Sequence, residues 1–192
     1  MAASRIGPAG AISVKLKSES MIQHQLLKST PGCPRTNWSW LRCIDLKEDE
    51  GLDFEDYEDC EYCGQEKIRF VHALSHSDWP GVIRVGQVCA ARMTAVSPAE
   101  LEEAEAILRN RSQRRQRFPR LKSWRVSAKG NQHIDYLGEH VIVMKRSAGY
   151  ALKIGRKFGE LLYPTDREAM LKAFDVLVRR HGSTRSRRAG RV

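Results

Sequence analysis

The segment that decides the fold is CEYCGQEKIRFVHALSHSDWPGVIRVGQVCAARMTA, residues 60–95. It begins with Cys60 and Cys63, whose Cys-x2-Cys spacing lets two thiolates converge on one cation. Two runs of strand-forming residues follow, and the turn-forming residues 77–81 separate them. Cys89 lies at the start of a predicted short helix, where the backbone N–H groups favour a thiolate. The segment therefore predicts a tight cysteine turn, or knuckle, then a β-hairpin and a helix, which together hold one metal ion.

A structural zinc site needs four ligands, so the three cysteines require a fourth. The candidates within this segment are His72 and His76. If the hairpin turn centres on position 79, antiparallel pairing places His72 opposite Gly86 and close to Cys89, whereas His76 lies near the tip of the hairpin. We therefore predict His72 as the fourth ligand and keep His76 as the alternative.

The order of these elements resembles the treble-clef class of zinc fingers, in which a knuckle and a hairpin precede a helix whose first turn provides a ligand. The residues that carry the resemblance are 60–64, 68–72 and 85–90. The resemblance implies one structural Zn²⁺ in a closed four-ligand site, without the open position that a catalytic zinc keeps for water. Gln87 and Ala90 occupy positions where the commonest treble clef carries a second cysteine, which leaves the fourth ligand open.

The charge of the chain predicts a polyanionic partner. Its formal net charge is +10 and its pI is near 9.6, a balance typical of proteins that bind DNA or RNA. The charge is uneven, because residues 45–61 contain ten acidic residues and Lys47 as their one base. We expect residues 1–59 to be weakly ordered and to end in an acidic linker, residues 45–59. A further hypothesis is that this linker competes with nucleic acid for the basic surface.

A basic helix is predicted to connect the zinc-binding module, residues 60–95, to the rest of the chain. Ser97-Pro98-Ala99-Glu100 is a capping box with proline at the first helical position, and Pro119 ends the helix, so the connection spans residues 96–119. Arginines neutralise phosphates and form bidentate contacts with them. The predicted nucleic-acid-binding residues are Arg109, Arg111, Arg114, Arg115, Arg117, Arg120, Lys122 and Arg125.

The C-terminal part predicts a small α+β domain over residues 120–180. Short strand-forming runs alternate with turns that contain glycine, and a second capping box at 165–168 begins a helix with a regular apolar stripe. Residues 181–192 are predicted to be a disordered basic tail. Basic residues on the strands and turns extend the basic surface onto a sheet face: Lys145, Arg146, Lys153, Arg156 and Lys157. The predicted fold class is α+β, with a zinc module, a basic connecting helix, and a small antiparallel sheet covered by one C-terminal helix.

These features together predict a zinc-stabilised nucleic-acid-binding protein that is not an enzyme and that binds DNA or RNA through its Arg-rich helix and basic sheet face. One alternative is a zinc-dependent protein–protein interaction or inhibitor module within a nucleoprotein complex. Another is a small metal-dependent nuclease or nucleic-acid-modifying enzyme that uses His76, His133 or His140. The sequence has no glycine-rich phosphate loop, nucleophile elbow or zinc-deaminase motif, which argues against those enzyme classes.

Hydropathy and cysteine usage predict the compartment. No run of about 18 apolar residues is present, so we expect no membrane partner. The first 30 residues lack the apolar core of a secretory signal, and the five cysteines are unevenly spaced. Cysteines of this kind are typical of metal binding in a reducing environment, so we expect an intracellular protein of the cytoplasm, nucleoid or nucleus.

Overall fold

The computed structural model describes residues 26–188, with side chains up to His181, and contains helices together with two antiparallel sheets. The predicted α+β fold class is confirmed at this level. The parts of the predicted weakly ordered N-terminus and basic tail that fall in residues 1–25 and 189–192 lie outside the described residues.

The first sheet has three antiparallel strands in the order β1-β2-β3. These strands are β1 (Ser39–Asp45), β2 (Phe70–His76) and β3 (Trp79–Val85). Two short helices follow strands of this sheet directly, α1 (Leu46–Asp49) after β1 and α2 (Gln87–Met93) after β3. The strands β2 and β3 form the predicted hairpin. A first core lies around this sheet and includes Trp38, Ile44, Leu46, Val71, Leu74, Ile83, Val85 and Met93.

The predicted connecting helix is α3 (Pro98–Arg117), and a 3₁₀ turn over Phe118–Arg120 follows it. Its capping box is present, because Ser97 Oγ accepts the N–H of Glu100 at 3.2 Å and Glu100 Oε2 accepts the N–H of Ser97 at 3.0 Å. Leu101 attaches the start of α3 to the first core, whereas Phe118 belongs to a second core. The helix and the turn after it therefore connect the two cores.

The second sheet is a five-stranded antiparallel meander in the order β4-β5-β6-β7-β8. Its strands are β4 (Arg125–Val126), β5 (Gln132–Tyr136), β6 (Glu139–Arg146), β7 (Gly149–Ile154) and β8 (Lys157–Tyr163). The helix α4 (Asp166–Arg188) begins at the predicted capping box, where Thr165 Oγ1 accepts the N–H of Glu168 at 3.1 Å. It packs on β6 and β7 and completes the second core: Phe118, Ile134, Val141, Val143, Leu152, Ile154, Met170, Phe174 and Leu177.

The strand register separates the two faces of this second sheet. Directly paired residues lie on the same face, so Val143 and Leu152, both in the second core, share the face covered by α4. Neighbouring positions alternate to the opposite face. Lys153 pairs with Ile142 on one side and with Phe158 on the other, so these three residues lie on the opposite face, which we call the open face.

Residues 39–59, which were predicted to be weakly ordered, contain regular secondary structure. Residues 39–45 form β1, and the acidic stretch contains α1 and a 3₁₀ turn over Phe54–Asp56. The reason is that Leu46, between the charged residues, is fully buried, and the adjacent Asp45 is buried with it. Asp45 accepts two 2.8 Å hydrogen bonds from Arg69. A carboxylate paired in this way can pack against a core, which an unpaired charge cannot do.

The disordered tail was predicted to start at residue 181, but the last helix extends beyond that position. The helix α4 continues to Arg188, so residues 181–188 are helical. No proline interrupts residues 166–188, and Gly182 lowers helix propensity without removing a backbone hydrogen bond, so the helix can continue past position 180.

Candidate metal centre and basic surface

The predicted cysteine cluster is present. The Sγ atoms of Cys60, Cys63 and Cys89 all lie within 4.8 Å of one another. Cys60 and Cys89 are buried, and Cys63 is half-buried. Three thiols at this spacing could hold one metal ion, and thiolates suit zinc and other thiophilic metals. Among the residues that the structure describes, no second group of three histidine, cysteine or carboxylate side chains converges in this way.

The knuckle that positions Cys60 and Cys63 is a tight turn. The N–H of Gly64 donates to the carbonyl of Cys60 at 2.8 Å, and the N–H of Cys60 donates to the carbonyl of Gln65 at 2.8 Å. Gly64 has a φ of +77°, and a Cβ at this position would lie 2.8 Å from Leu26 Cδ2. The left-handed backbone therefore favours glycine here, and a Cβ would also require the Leu26 side chain to shift.

Cys89 reaches the knuckle from the far end of the hairpin. Gly86 is the N-cap of α2, and its N–H donates to the Cys60 thiol at 3.4 Å. Cys89 lies in the first turn of α2, where unpaired N–H groups and the helix dipole favour negative charge. The hairpin and α2 thus bring a cysteine that is distant in sequence to the other two.

The clustered thiols differ in how readily they lose a proton. Burial raises the pKa of Cys63, but hydrogen bonds with the N–H of Gln65 and with the other two thiols outweigh burial, so this pKa lies below its ordinary value. Burial and then the neighbouring thiols of Cys63 and Cys60 raise the pKa of Cys89 well above its ordinary value. Adjacent thiolates repel one another, so a bound cation is what would allow all three thiols to ionise.

The structure does not bring His72 to these thiols. His72 is fully buried, Trp40 Nε1 donates a 3.2 Å hydrogen bond to its Nδ1, and its Nε2 lies 3.1 Å from Glu105 Oε1. The predicted pairing with Gly86 is shifted by one residue, because His72 pairs with Val85. Both ring nitrogens of His72 therefore have partners on β1 and α3.

His76 is not brought to the thiols either. Its Nδ1 accepts the N–H of Asp78 at 3.0 Å, and its ring centre lies 5.3 Å from that of Trp38. This placement differs from the prediction that His72, or else His76, is the fourth ligand. Sequence reasoning also missed the contact of His72 with Glu105, which has no local signal because only the fold joins β2 to α3.

The predicted nucleic-acid-binding residues separate into two groups. Those of the first group form ion pairs or other contacts with residues of the same fold. Arg111 lies 3.4 Å from Asp49 Oδ1. Arg115 lies 3.2 Å from Glu48 Oε2 and 2.8 Å from Asp175 Oδ1, so it joins α1 to α4. These two arginines hold the acidic stretch and the C-terminal helix against α3.

Arg109 and Arg114 also belong to this engaged group. Arg109 lies 3.5 Å from Glu105 Oε2 and over the ring of Phe70, 5.2 Å from its centre. Arg114 donates to the Tyr136 hydroxyl at 3.3 Å, and its guanidinium lies 5.9 Å from the ring centre of Phe174. Both side chains therefore have partners within the fold.

The second group is exposed and forms no ion pair with another residue of the described chain; its members are Arg117, Arg120, Lys122 and Arg125. They follow one another from the end of α3, through the 3₁₀ turn, to the start of β4. Arg125 pairs with His133, and His133 pairs with Ile142, so Arg125 lies on the open face of the second sheet. This second group leads from α3 onto the open face.

The open face and the edge strand β8 combine basic and apolar side chains. Lys153 Nζ lies 4.9 Å from the centre of the Phe158 ring. Phe158, Leu161 and Leu162 on β8 are 61%, 64% and 48% exposed. The other basic residues predicted on the sheet are exposed on β6, on β8 and in the turn before β8: Lys145, Arg146, Arg156 and Lys157.

The two histidines named for the nuclease alternative lie together on the second sheet. His140 Nδ1 lies 2.6 Å from Asp135 Oδ1, and the ring centres of His133 and His140 are 5.5 Å apart. Neither belongs to a group of three metal-ligating side chains within the described residues. The geometry therefore adds no support for a metal-dependent nuclease.

Comparison with known proteins found no family model, no curated protein and no solved structure that matches the chain. The helices within residues 26–188 include none that is both long and apolar enough to cross a membrane.

Proposed function

We propose that this protein is a zinc-stabilised nucleic-acid-binding protein without catalytic activity. The zinc part is supported by the three converging thiols, because thiolates are common ligands of structural zinc. The order of knuckle, hairpin β2–β3 and helix α2 around the thiols supports the treble-clef resemblance. Zn²⁺ would be held by Cys60, Cys63 and Cys89, and its role would be to tie the knuckle to the hairpin and to α2.

The nucleic-acid part is supported by the basic surface formed by the second group of bases and the open face. The observation that carries it is a contrast within one stretch, because Arg111 and Arg115 are engaged by the fold whereas the four bases from Arg117 to Arg125 stay exposed. Exposed like charges repel one another, and a polyanion that neutralises them releases counterions. The partner proposed is DNA or RNA, bound mainly through its phosphates.

The experiment that tests this function compares two variants of equal charge. The first carries Arg117→Ala, Arg120→Ala, Lys122→Ala and Arg125→Ala. The matched control removes four exposed bases around the first sheet, by Arg35→Ala, Arg42→Ala, Lys47→Ala and Arg92→Ala. We expect the first variant to lower the slope of log affinity against log salt by about 0.7–0.9 for each phosphate that it no longer neutralises, and the control to keep most of the slope.

Fluorescence anisotropy with single-stranded and duplex DNA and RNA would give these slopes, on protein whose zinc content has been measured. Two results would refute the proposal. One is the absence of salt-dependent binding by the wild-type protein to all four probes. The other is an equal reduction of the slope in both variants, which would mean that net charge and not this surface is responsible.

A protein-interaction role is the second candidate, and β8 favours it. This strand lies at the edge of the sheet and, among residues 26–188, pairs only with β7. Phe158, Leu161 and Leu162 on it are all exposed. An edge strand with large apolar side chains suits a protein partner that adds a strand, as in a nucleoprotein complex.

A further inference from the structure

One row of side chains crosses all five strands on the open face of the second sheet. Each member pairs directly with the next, in the order Arg125, His133, Ile142, Lys153 and Phe158. Directly paired residues lie side by side on one face, and neighbouring strands are about 4.8 Å apart, so the row extends about 19 Å across the sheet. The row therefore offers cationic, imidazole, aliphatic and aromatic groups to a single extended partner.

The aromatic ring at the β8 end of this row is accessible. Phe158 is 61% exposed, and Lys153 Nζ lies 4.9 Å from the centre of its ring. Leu162 pairs with Ala151, which lies two positions from Lys153 on β7 and so shares the open face, and Leu162 is 48% exposed. A planar group can therefore stack on the Phe158 ring while the adjacent ammonium meets a negative charge attached to that group.

The charge of the open face favours a polyanion. Arg125, Lys153 and Arg146, which lies on this face by alternation along β6, form no ion pair with another residue of the described chain. Asp135 is an acid on the same face, and its Oδ1 is already paired with His140 Nδ1 at 2.6 Å. The face therefore keeps a positive charge that the phosphates of a nucleic acid would neutralise.

The apolar part of the row distinguishes a single strand from a duplex. A duplex stacks its bases on one another and presents phosphates and groove edges to a protein. A single strand leaves the faces of its bases free, and aromatic side chains on a sheet can stack on them. The exposed ring of Phe158 has a use in the second arrangement and none in a contact made through phosphates alone.

We propose that the open face binds single-stranded nucleic acid, with one base stacked on Phe158 and backbone phosphates at Lys153 and Arg125. This inference rests on the nucleic-acid role proposed above and names the form of nucleic acid that the same surface takes. Ile142 lies between the two cations of the row and provides an apolar contact for a sugar or a second base. The stack tolerates any sequence, because every base has a π-face.

Fluorescence anisotropy with full-length protein and three probes tests this inference. The probes are an oligothymidine of about 12 nucleotides, an abasic strand of the same length and charge, and a duplex of that length, chosen because single-strand sites take about 4–16 nucleotides. We expect the wild-type protein to prefer the oligothymidine to the abasic strand by about 5- to 100-fold, the range that stacking of one base supplies.

Two variants separate stacking from charge. Phe158→Ala should lose the preference for the oligothymidine and keep the salt slope, because it removes a ring and no phosphate contact. Lys153→Gln should keep the preference and lower the slope by about 0.7, the value for one phosphate of a single strand. Phe158→Tyr retains the ring and should keep both.

Phe54→Ala is the matched control, since Phe54 is also 61% exposed but lies in the acidic stretch; it should change neither the preference nor the slope. The inference is overturned by an undiminished preference in Phe158→Ala or by an equal loss in Phe54→Ala. Wild-type protein that binds all three probes equally would overturn it too, and would leave the nucleic-acid role in place. Wild-type protein that binds none of the probes in a salt-dependent manner would refute the proposed function, and this inference with it.

Discussion

At the scale of single residues, the neighbours of each cysteine determine its chemistry. Cys43 lies on β1, and burial, followed by the nearby carboxylates of Glu105, Asp45 and Asp49, raises its pKa to about 12. A thiol with this pKa stays protonated near neutral pH and is a poor nucleophile. Cys63, whose pKa is lowered, is the opposite case.

We expect Cys43 to resist alkylation in the folded, metal-loaded protein. At about pH 8 its thiolate fraction is about 1,000-fold lower than for a thiol with the ordinary pKa of 9.0. Iodoacetamide labelling followed by peptide mass mapping measures this, with the same reaction in urea as the control for the unfolded chain. Labelling should become faster as the pH rises toward 12. Equal rates with and without urea would show that the surroundings of Cys43 do not protect it.

The sequence could predict the cluster of three cysteines but not the position of the histidine. Cys60 and Cys63 are related by a local spacing, and one hairpin leads to Cys89. The partners of His72 depend instead on strand register, and pairing with Val85 in place of Gly86 is a shift of a single residue. Because such a shift reverses the face to which a side chain points, spacing alone could not place His72.

At the scale of elements, the acidic helix α1 packs against the basic helix α3. Glu48 accepts a hydrogen bond from Ser112 at 2.8 Å and pairs with Arg115, while Asp49 pairs with Arg111. The hypothesis that the acidic stretch competes with nucleic acid has a structural counterpart in these pairs. Deletion of the stretch would not test it, because the same segment places Leu46 in the first core.

The substitution Asp49→Asn tests competition without that damage, on the assumption of the nucleic-acid role proposed above. Asp49 Oδ2 accepts the N–H of Asp45 at 3.0 Å, and an asparagine oxygen can still accept it. We expect the freed Arg111 to raise affinity for duplex DNA and to steepen the salt slope by up to about 0.9. Salt titrations would be compared with Asp56→Asn, which removes the same charge from an exposed turn. Identical titrations for the two variants would dismiss competition by Asp49.

The helix starts could be predicted from the sequence because their signals are local. The capping boxes at Ser97 and Thr165 begin α3 and α4 where the sequence placed them. The strand β1 was missed, because it has no turn signal of its own and completes a sheet whose other strands come some thirty residues later. The burial of Ile44 on β1, and of Leu46 directly after it, in the first core distinguishes this segment from a linker.

At the scale of the whole molecule, the chain forms two cores joined by α3. The clustered cysteines belong to or pack against the first core, and the chain after Cys89 contains no cysteine. The junction includes Arg115 with its partners Glu48 and Asp175. Ion pairs of this kind are weak compared with the apolar cores on either side, so a change in one core need not unfold the other.

Removal of the metal proposed above should therefore affect the two cores differently. The binding energy of a structural metal is folding energy, so we expect a chelator to abolish amide hydrogen-exchange protection in β2, β3 and α2. Protection in β5 to β7 and in α4 up to residue 181 should persist. Cys60→Ser without chelator should give the same pattern, which separates metal loss from other effects of the reagent. Loss of protection throughout the chain would show one cooperative unit, and no change would show that the metal does not hold the first core.

The edge strand β8 has a consequence for the solubility of this protein. Copies with a net charge of +10 repel one another at low ionic strength, which keeps the exposed Phe158, Leu161 and Leu162 of different molecules apart. The Debye length falls from about 10 Å at 0.1 M salt to about 3 Å at 1 M, so that repulsion disappears while apolar contacts remain. Concentrated salt would release nucleic acid bound in the role proposed above, and the same solution would bring the β8 edges of neighbouring molecules together and promote precipitation.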